Sequence, residues 1–187
     1  EQVMIDWLRQ ALGLPADFTG TIHDSATTAT LSAVLTMRER ALGWQGLAEG
    51  LSGGPVLRFY ASAETHSSVD KAIRVAGIGQ ANLVKVATDG DRAMTGAALQ
   101  AAIAADRGAG LVPAGAVLCA GGTSVGAFDR IGDCVAVCRE EGVPCHVDAA
   151  WAGSAMICPE FRALWAGVEG ADSIVFNPHK WLGAQFD

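Results

Sequence analysis

The sequence predicts an α/β domain in which a mostly parallel sheet is covered by helices on both faces. Short apolar runs rich in β-branched residues alternate with segments of helical periodicity, and turns rich in Gly, Ser and Asp separate them. Such an alternation is typical of parallel sheets, because each connection must cross back over the sheet. We predict helices at 28–43, 66–77, 95–106, 129–141 and 159–166, and strands at 56–62, 82–87, 115–120, 144–148 and 173–176.

The first residues of the chain also have near-helical spacing, in the apolar positions Val3, Ile5, Trp7, Leu8 and Leu12. The chain lacks an initial Met, and no residue in front of this helix would cap it. We therefore expect residues 1–187 to form one domain of a longer protein.

Composition narrows the class of protein. Half of the 187 residues are hydrophobic and 18% are charged, which is typical of a globular domain with a real core. The net charge is −7 and there is no run of Lys and Arg, so we expect no nucleic-acid partner. No apolar stretch has the length of a membrane span, and the start of the chain does not resemble a signal peptide. We expect a soluble protein with no membrane partner.

The five cysteines favour a reducing compartment, since they are odd in number and form no CxxC pair. We therefore expect a cytoplasmic location. Cys134 and Cys138 lie four residues apart on a predicted helix, but no second pair or nearby histidine accompanies them. Their spacing indicates packing inside the domain, and we expect no metal site.

Chemistry in an open α/β sheet is expected just beyond the carboxyl ends of the strands. One segment of this kind is Phe176-Asn177-Pro178-His179-Lys180-Trp181, which places Lys180 after a predicted strand. A lysine that attacks an aldehyde must lose its proton, and desolvation favours that state. The alternative is an ordinary surface lysine.

A second segment, Pro144 to Trp151, contains a short buried strand that ends in Asp148. A carboxylate at this position is able to pair with a protonated ring nitrogen, because opposite charge stabilises the protonated form. The alternative is a carboxylate that caps the following turn. His146, two residues earlier, is expected to be structural.

Two predicted helix N-termini contain further candidate site residues. Ser25, Ala26 and Thr27 begin a helix whose free N–H groups and hydroxyls suit a phosphate, although Ser25 is also a good ordinary cap. His66 follows the strand at 56–62 and begins the next helix. It either faces a bound ring or caps that helix.

Together these segments resemble the family of pyridoxal-phosphate decarboxylases that includes aromatic-L-amino-acid decarboxylase. The most specific part is His146-Val147-Asp148-Ala149-Ala150-Trp151-Ala152-Gly153, followed by Ile157-Cys158-Pro159-Glu160-Phe161-Arg162 and by Asn177-Pro178-His179-Lys180-Trp181. The resemblance extends over the whole chain and implies the large domain of a fold type I enzyme that depends on pyridoxal 5'-phosphate.

The resemblance also implies a role for each site residue. Lys180 would form the Schiff base, Asp148 would pair with the pyridine nitrogen, and the ring would lie between two further residues, His66 and Ala150. The phosphate would be held by Ser25, Ala26, Thr27 and Asn177. Thr123 would contact the cofactor, and His179 would lie close to the phosphate or the substrate. Asp24 stands where relatives often have glycine.

The family members are longer, with a segment before Glu1 and a catalytic loop and small domain after Asp187. The family's proton donor, a tyrosine, would lie in that loop, since Tyr60 is in a different motif. The resemblance implies decarboxylation of an L-amino acid, with an aromatic one favoured, by a homodimer. Two alternatives share the same residues: another fold type I activity such as an aminotransferase, and a module that binds cofactor without catalysis.

Overall fold

The computed structural model describes residues 1–185. Its core is a five-stranded parallel sheet with strand order β2-β1-β3-β4-β5. The strands are β1 (Leu57–Ser62), β2 (Leu83–Val86), β3 (Val112–Cys119), β4 (Cys145–Asp148) and β5 (Ser173–Val175). The helices are α1 (Gln2–Leu12), α2 (Ala26–Ala41), α3 (Gly46–Glu49), α4 (Ser67–Val75), α5 (Gly96–Gly108), α6 (Ile131–Glu140) and α7 (Pro178–Trp181).

Helices cover both faces of the sheet, as the alternation of strands and helices predicts. On one face, α2 and α4 pack through residues such as Val34 and Ile73 against Phe59 of β1. On the other face, α5 and α6 pack through residues such as Leu99 and Val135, together with the end of α1. The cysteines of α6 are buried in this second core, so they pack as their spacing indicates.

The close packing of α2 on the sheet depends on a glycine in β3. A Cβ atom added at Gly115 would lie 2.6 Å from the Met37 sulfur and 2.9 Å from a ring carbon of Phe59. Both distances are shorter than van der Waals contact, so a larger residue here would push α2 away from the sheet. This contact sets the distance between α2 and the sheet. It therefore also sets the position of the α2 N-terminus, which borders the site described below.

The prediction of an ordinary helix at 159–166 is wrong about the type of helix. Residues Pro159–Trp165 form a 3₁₀ helix, which is tighter than an α-helix. Arg162 from this segment donates to the carbonyl oxygens of Leu12, at 2.7 Å, and Ala11, at 3.5 Å. The segment therefore caps the C-terminus of α1, where Gly13 turns the chain with φ of 64°.

Other differences concern boundaries. Strand β3 begins three residues earlier than predicted, at Val112, and the region after residue 45 holds the short helix α3, which the periodicity did not predict.

Among residues 1–185, no helix combines the length and the apolar character needed to cross a membrane.

Candidate active site

The N-terminus of α2 begins at Ser25, whose extended backbone and side chain cap the helix. The Ser25 oxygen accepts a hydrogen bond from the Thr28 amide at 3.3 Å and lies 3.0 Å from the Thr28 hydroxyl. The ordinary capping role is therefore present. The next amides, of Ala26 and Thr27, lie in the first turn, where helix N–H groups have no partner within the helix. Capping and anion binding are compatible at this end.

His66 also has the capping role that its position suggests. Its Nδ1 atom caps α4 by accepting a hydrogen bond from the Ser68 amide at 3.2 Å. The same atom lies 2.9 Å from the Ser68 hydroxyl. Since Nδ1 accepts, the proton of the neutral ring lies on Nε2. The same bond fixes the orientation of the ring, and His66 lines the pocket described below. The capping role is therefore present, and the contact of His66 with a bound ring stays a prediction.

The loop after β3 is held by a buried carboxylate. Asp129 accepts hydrogen bonds from the amides of Met94, at 2.8 Å, and Cys119, at 2.6 Å. Burial raises the pKa of Asp129 to about 6, against the lowering effect of these two bonds. The loop turns at Gly121, where φ is +81° and an added Cβ would lie 2.4 Å from that of Ala152. Only glycine fits this turn, which leads directly to Thr123.

Asp148 ends β4, between β3 and β5, at the carboxyl edge of the sheet. Its Oδ1 atom accepts from the Ala150 amide at 3.1 Å, so the predicted cap of the following turn is present. The residues Cys145 and Val147 belong to the core under α6, so the alternation of the strand places Asp148 on the face covered by α2. Asp148 is 8% exposed and opens into the pocket.

His146 lies two residues before Asp148 on the same face of β4 and is almost fully buried. Its Nδ1 atom lies 2.8 Å from the Ser173 hydroxyl on the neighbouring strand. Burial lowers the pKa of His146 to about 4, so its ring is neutral at neutral pH. It does not line the pocket, as expected for a structural histidine.

The segment after β5 differs from the prediction in one respect. Lys180 does not follow the strand as a loop residue, because Pro178 begins the four-residue helix α7 that contains it. The Lys180 side chain is exposed. Next to it, Trp181 packs edge to face on Trp151, with ring centroids 4.8 Å apart.

One pocket brings together the ten residues to which the sequence assigns a part in cofactor binding. It lies beyond the carboxyl ends of β1, β3, β4 and β5, at the edge where the strand order reverses between β1 and β3. Its volume is about 240 Å³. The predicted residues that line it are Ser25, Ala26, Thr27, His66, Thr123, Asp148, Ala150, Asn177, His179 and Lys180. Their individual roles stay predictions.

Five further residues line the pocket, and none of them was assigned a role from the sequence: Ser68, Cys119, Gly121, Gly122 and Trp151. A signal existed for three of them. Gly121 and Gly122 lie in the same strand-end loop as Thr123, and Trp151 directly follows Ala150. Cys119 gave none, because a cysteine at the end of an apolar strand is indistinguishable from a core residue. Within residues 1–185, no three His, Cys, Asp or Glu side chains are placed to share a metal ion.

The donor set fits pyridoxal 5'-phosphate. An amine for an aldehyde, a carboxylate for a ring nitrogen, an imidazole for a ring face and a capped helix N-terminus for a phosphate all border one cavity. The α/β fold and this site together have the architecture of the large domain of fold type I proteins that bind pyridoxal phosphate.

The comparisons with known proteins identify the family. The family model described as pyridoxal-dependent decarboxylase conserved domain matches residues 1–187. Aromatic-L-amino-acid decarboxylase of Sus scrofa is 45% identical over the whole chain. The crystal structure of Oryza sativa TDC with PLP is 39% identical, with a TM-score of 0.92 over 99% of the chain and 42% of its own. The chain belongs to the pyridoxal-dependent decarboxylase family.

A third similar protein is Catharanthus roseus tryptophan decarboxylase, in a crystal structure with L-tryptophan. It is 35% identical, with a TM-score of 0.90 over 97% of this chain and 40% of its own. The chain likewise spans 40% of the length of the Sus scrofa relative.

Proposed function

We propose that the protein removes carbon dioxide from an aromatic L-amino acid and releases the amine, with pyridoxal phosphate as cofactor. The observation that carries this proposal is the single pocket lined by Lys180, Asp148, His66 and the α2 N-terminus. The choice of an aromatic substrate is supported by the relatives, aromatic-L-amino-acid decarboxylase and tryptophan decarboxylase.

The residues of the chain would divide the work as follows. The N-terminus of α2 and Asn177 would bind the phosphate, and His66 and Ala150 would flank the ring and exclude water from it. Asp148 holds the proton on the ring nitrogen, because a carboxylate favours the charged form. When bound, the cofactor supplies an electron sink for the bond that breaks as carbon dioxide leaves. Lys180 would supply the amine that holds the aldehyde end of the cofactor in the pocket.

Two residues have less defined parts in the proposal. Thr123, after the tight turn at Gly121, would contact the cofactor from the β3 side. His179, beside Lys180 on α7, would contact the phosphate or the substrate. The proton donor to the product carbon would come from chain outside residues 1–187.

We further propose that residues 1–187 are the cofactor-binding large domain of a cytoplasmic homodimer. The openness of the site supports a partner, since Lys180 is exposed and Trp151 and Trp181 are 41% and 45% exposed. Such aromatic surface is usually covered in the active form of a protein. The five cysteines are unpaired, which suits a reducing compartment. The acidic net charge of −7 argues against a nucleic-acid partner.

Product analysis tests the proposed reaction. The full-length protein, loaded with cofactor, is incubated with L-dopa, L-tryptophan, L-tyrosine and L-phenylalanine. Equal amounts of amine and carbon dioxide are expected. A keto acid would instead indicate an aminotransferase, and no product from any amino acid would indicate a module that binds cofactor without catalysis.

A further inference from the structure

The carboxylate of Asp24 lies at the N-terminus of α2, directly before the residues that line the phosphate end of the pocket. The Ser25 hydroxyl donates to its Oδ1 atom at 3.5 Å. A hydrogen bond from the Thr28 side chain, followed by bonds from Ser25, holds the pKa of Asp24 below its usual value. Asp24 is therefore negatively charged at neutral pH, at the positive end of a 16-residue helix.

The same groups cannot serve two anions at once. Ser25 has a single hydroxyl proton, and a proton donated to Asp24 or Thr28 is not available to a phosphate. The helix N-terminus favours any anion, a carboxylate as well as a phosphate. A phosphate that enters the pocket would also carry its charge close to the charge of Asp24.

We propose that Asp24 competes with the phosphate of the cofactor for the N-terminus of α2 and so weakens cofactor binding. This inference rests on the proposed function, because it assumes that Ser25, Ala26 and Thr27 bind the phosphate. Asp24 would have to release the Ser25 hydroxyl and remain beside a doubly charged group. Like charges a few ångströms apart at an exposed site change an equilibrium constant by roughly tenfold.

Substitution of Asp24 separates this effect from general changes in charge. Asp24→Asn keeps the shape and the capacity to accept from Ser25 but removes the charge, and Asp24→Gly removes the side chain. Asp17→Asn is the matched control, since Asp17 is an exposed carboxylate in the turn after α1 and its loss changes the net charge equally. Unfolding midpoints of all variants check that the fold is retained.

The measurement is a titration of the cofactor-free full-length protein with pyridoxal phosphate, followed by cofactor absorbance and by quenching of Trp fluorescence. Asp24→Asn and Asp24→Gly should each bind about tenfold more tightly than the wild type, while Asp17→Asn should match the wild type. With pyridoxal, which has no phosphate, all four proteins should have equal affinity. Inorganic phosphate alone, titrated into the cofactor-free proteins, should also bind more tightly to Asp24→Asn than to the wild type.

Three outcomes would overturn the inference. Equal or weaker binding of pyridoxal phosphate by both Asp24 variants would remove the competition and leave the proposed function intact. The same gain with pyridoxal as with pyridoxal phosphate would show that the effect does not involve the phosphate. Failure of every protein, wild type included, to bind pyridoxal phosphate would overturn the proposed cofactor site and the inference with it.

Discussion

Asp148 has two tasks that substitution separates. Its carboxylate caps the turn through the Ala150 amide, and in the proposed mechanism its charge keeps the cofactor ring protonated. Asp148→Asn retains an oxygen for the cap and loses the charge, whereas Asp148→Ala loses both. We expect turnover by the full-length enzyme to fall at least about 100-fold in both variants, a typical scale for loss of a catalytic charge.

Stability should separate the two variants. Asp148→Ala should have a lower free energy of unfolding than Asp148→Asn, by about 1 kcal/mol, because only the alanine leaves the Ala150 amide without its partner. Steady-state kinetics and urea unfolding of both proteins provide the measurements. Near-normal turnover of Asp148→Asn would show that Asp148 does not act on the ring nitrogen.

Asp129 makes stability depend on pH in a direction that is unusual for a carboxylate. Its pKa in the folded chain is about 6, above the ordinary value of 3.8, so the folded state binds the proton more tightly than the unfolded state. This contribution is therefore fully present below about pH 4 and is lost as the pH rises through 6. The shift corresponds to about 3 kcal/mol at most.

Urea unfolding of the wild type and Asp129→Asn between pH 4 and pH 7 tests this. The free energy of unfolding of the wild type, measured relative to the variant, should decrease as the pH rises from about 4 to 6. A difference that stays constant or increases over this range would contradict the assignment. Asp129→Asn should also be less stable overall, since one of two backbone amides loses its acceptor.

At the scale of elements, the predicted helix at 159–166 shows where periodicity is insufficient. The apolar spacing is compatible with an α-helix, yet the segment is a 3₁₀ helix held by a tertiary contact of Arg162 with the end of α1. That contact joins residues 150 positions apart. No local pattern contains it, so the type of helix could not be predicted from the sequence.

Arg162 should therefore stabilise α1. Arg162→Ala leaves the Leu12 and Ala11 carbonyls without their charged donor and should lower the free energy of unfolding by about 1 to 2 kcal/mol. Arg74→Ala is the matched control, because Arg74 is an exposed arginine in the last turn of α4. Its effect should stay within about 0.5 kcal/mol. Equal effects of the two substitutions in urea unfolding would contradict this role.

The strand ends explain why so much of the site was predictable. Polar residues directly after apolar strands are conspicuous in the sequence, and in a parallel sheet those ends meet at one edge. Lys180 and Asp148 were found in this way. The strand order, with β1 between β2 and β3, was not predicted, because nothing local in a strand states its neighbours. Cys119 was missed because it ends an apolar strand, where a cysteine is indistinguishable from a core residue.

At the scale of the whole molecule, exposed apolar side chains support the proposed homodimer. Val3 and Trp7, one turn apart on α1, are each 62% exposed, and the Trp151 and Trp181 pair borders the open site. Light scattering of the full-length protein at assay concentration should give twice the mass of one chain. An active monomer at that concentration would contradict the proposal.

The central claim, that Lys180 holds the cofactor, is tested most directly by borohydride reduction of the cofactor-loaded full-length protein followed by peptide mapping. The other lysines of the chain have different settings: Lys71 is an exposed residue of α4, and Lys85 lies 3.1 Å from Asp70 in an ion pair. The pyridoxyl label should be recovered on Lys180, and Lys180→Ala should bind the cofactor without covalent attachment and decarboxylate negligibly. A label on any other lysine, with Lys180 unmodified, would contradict the site proposed for this protein.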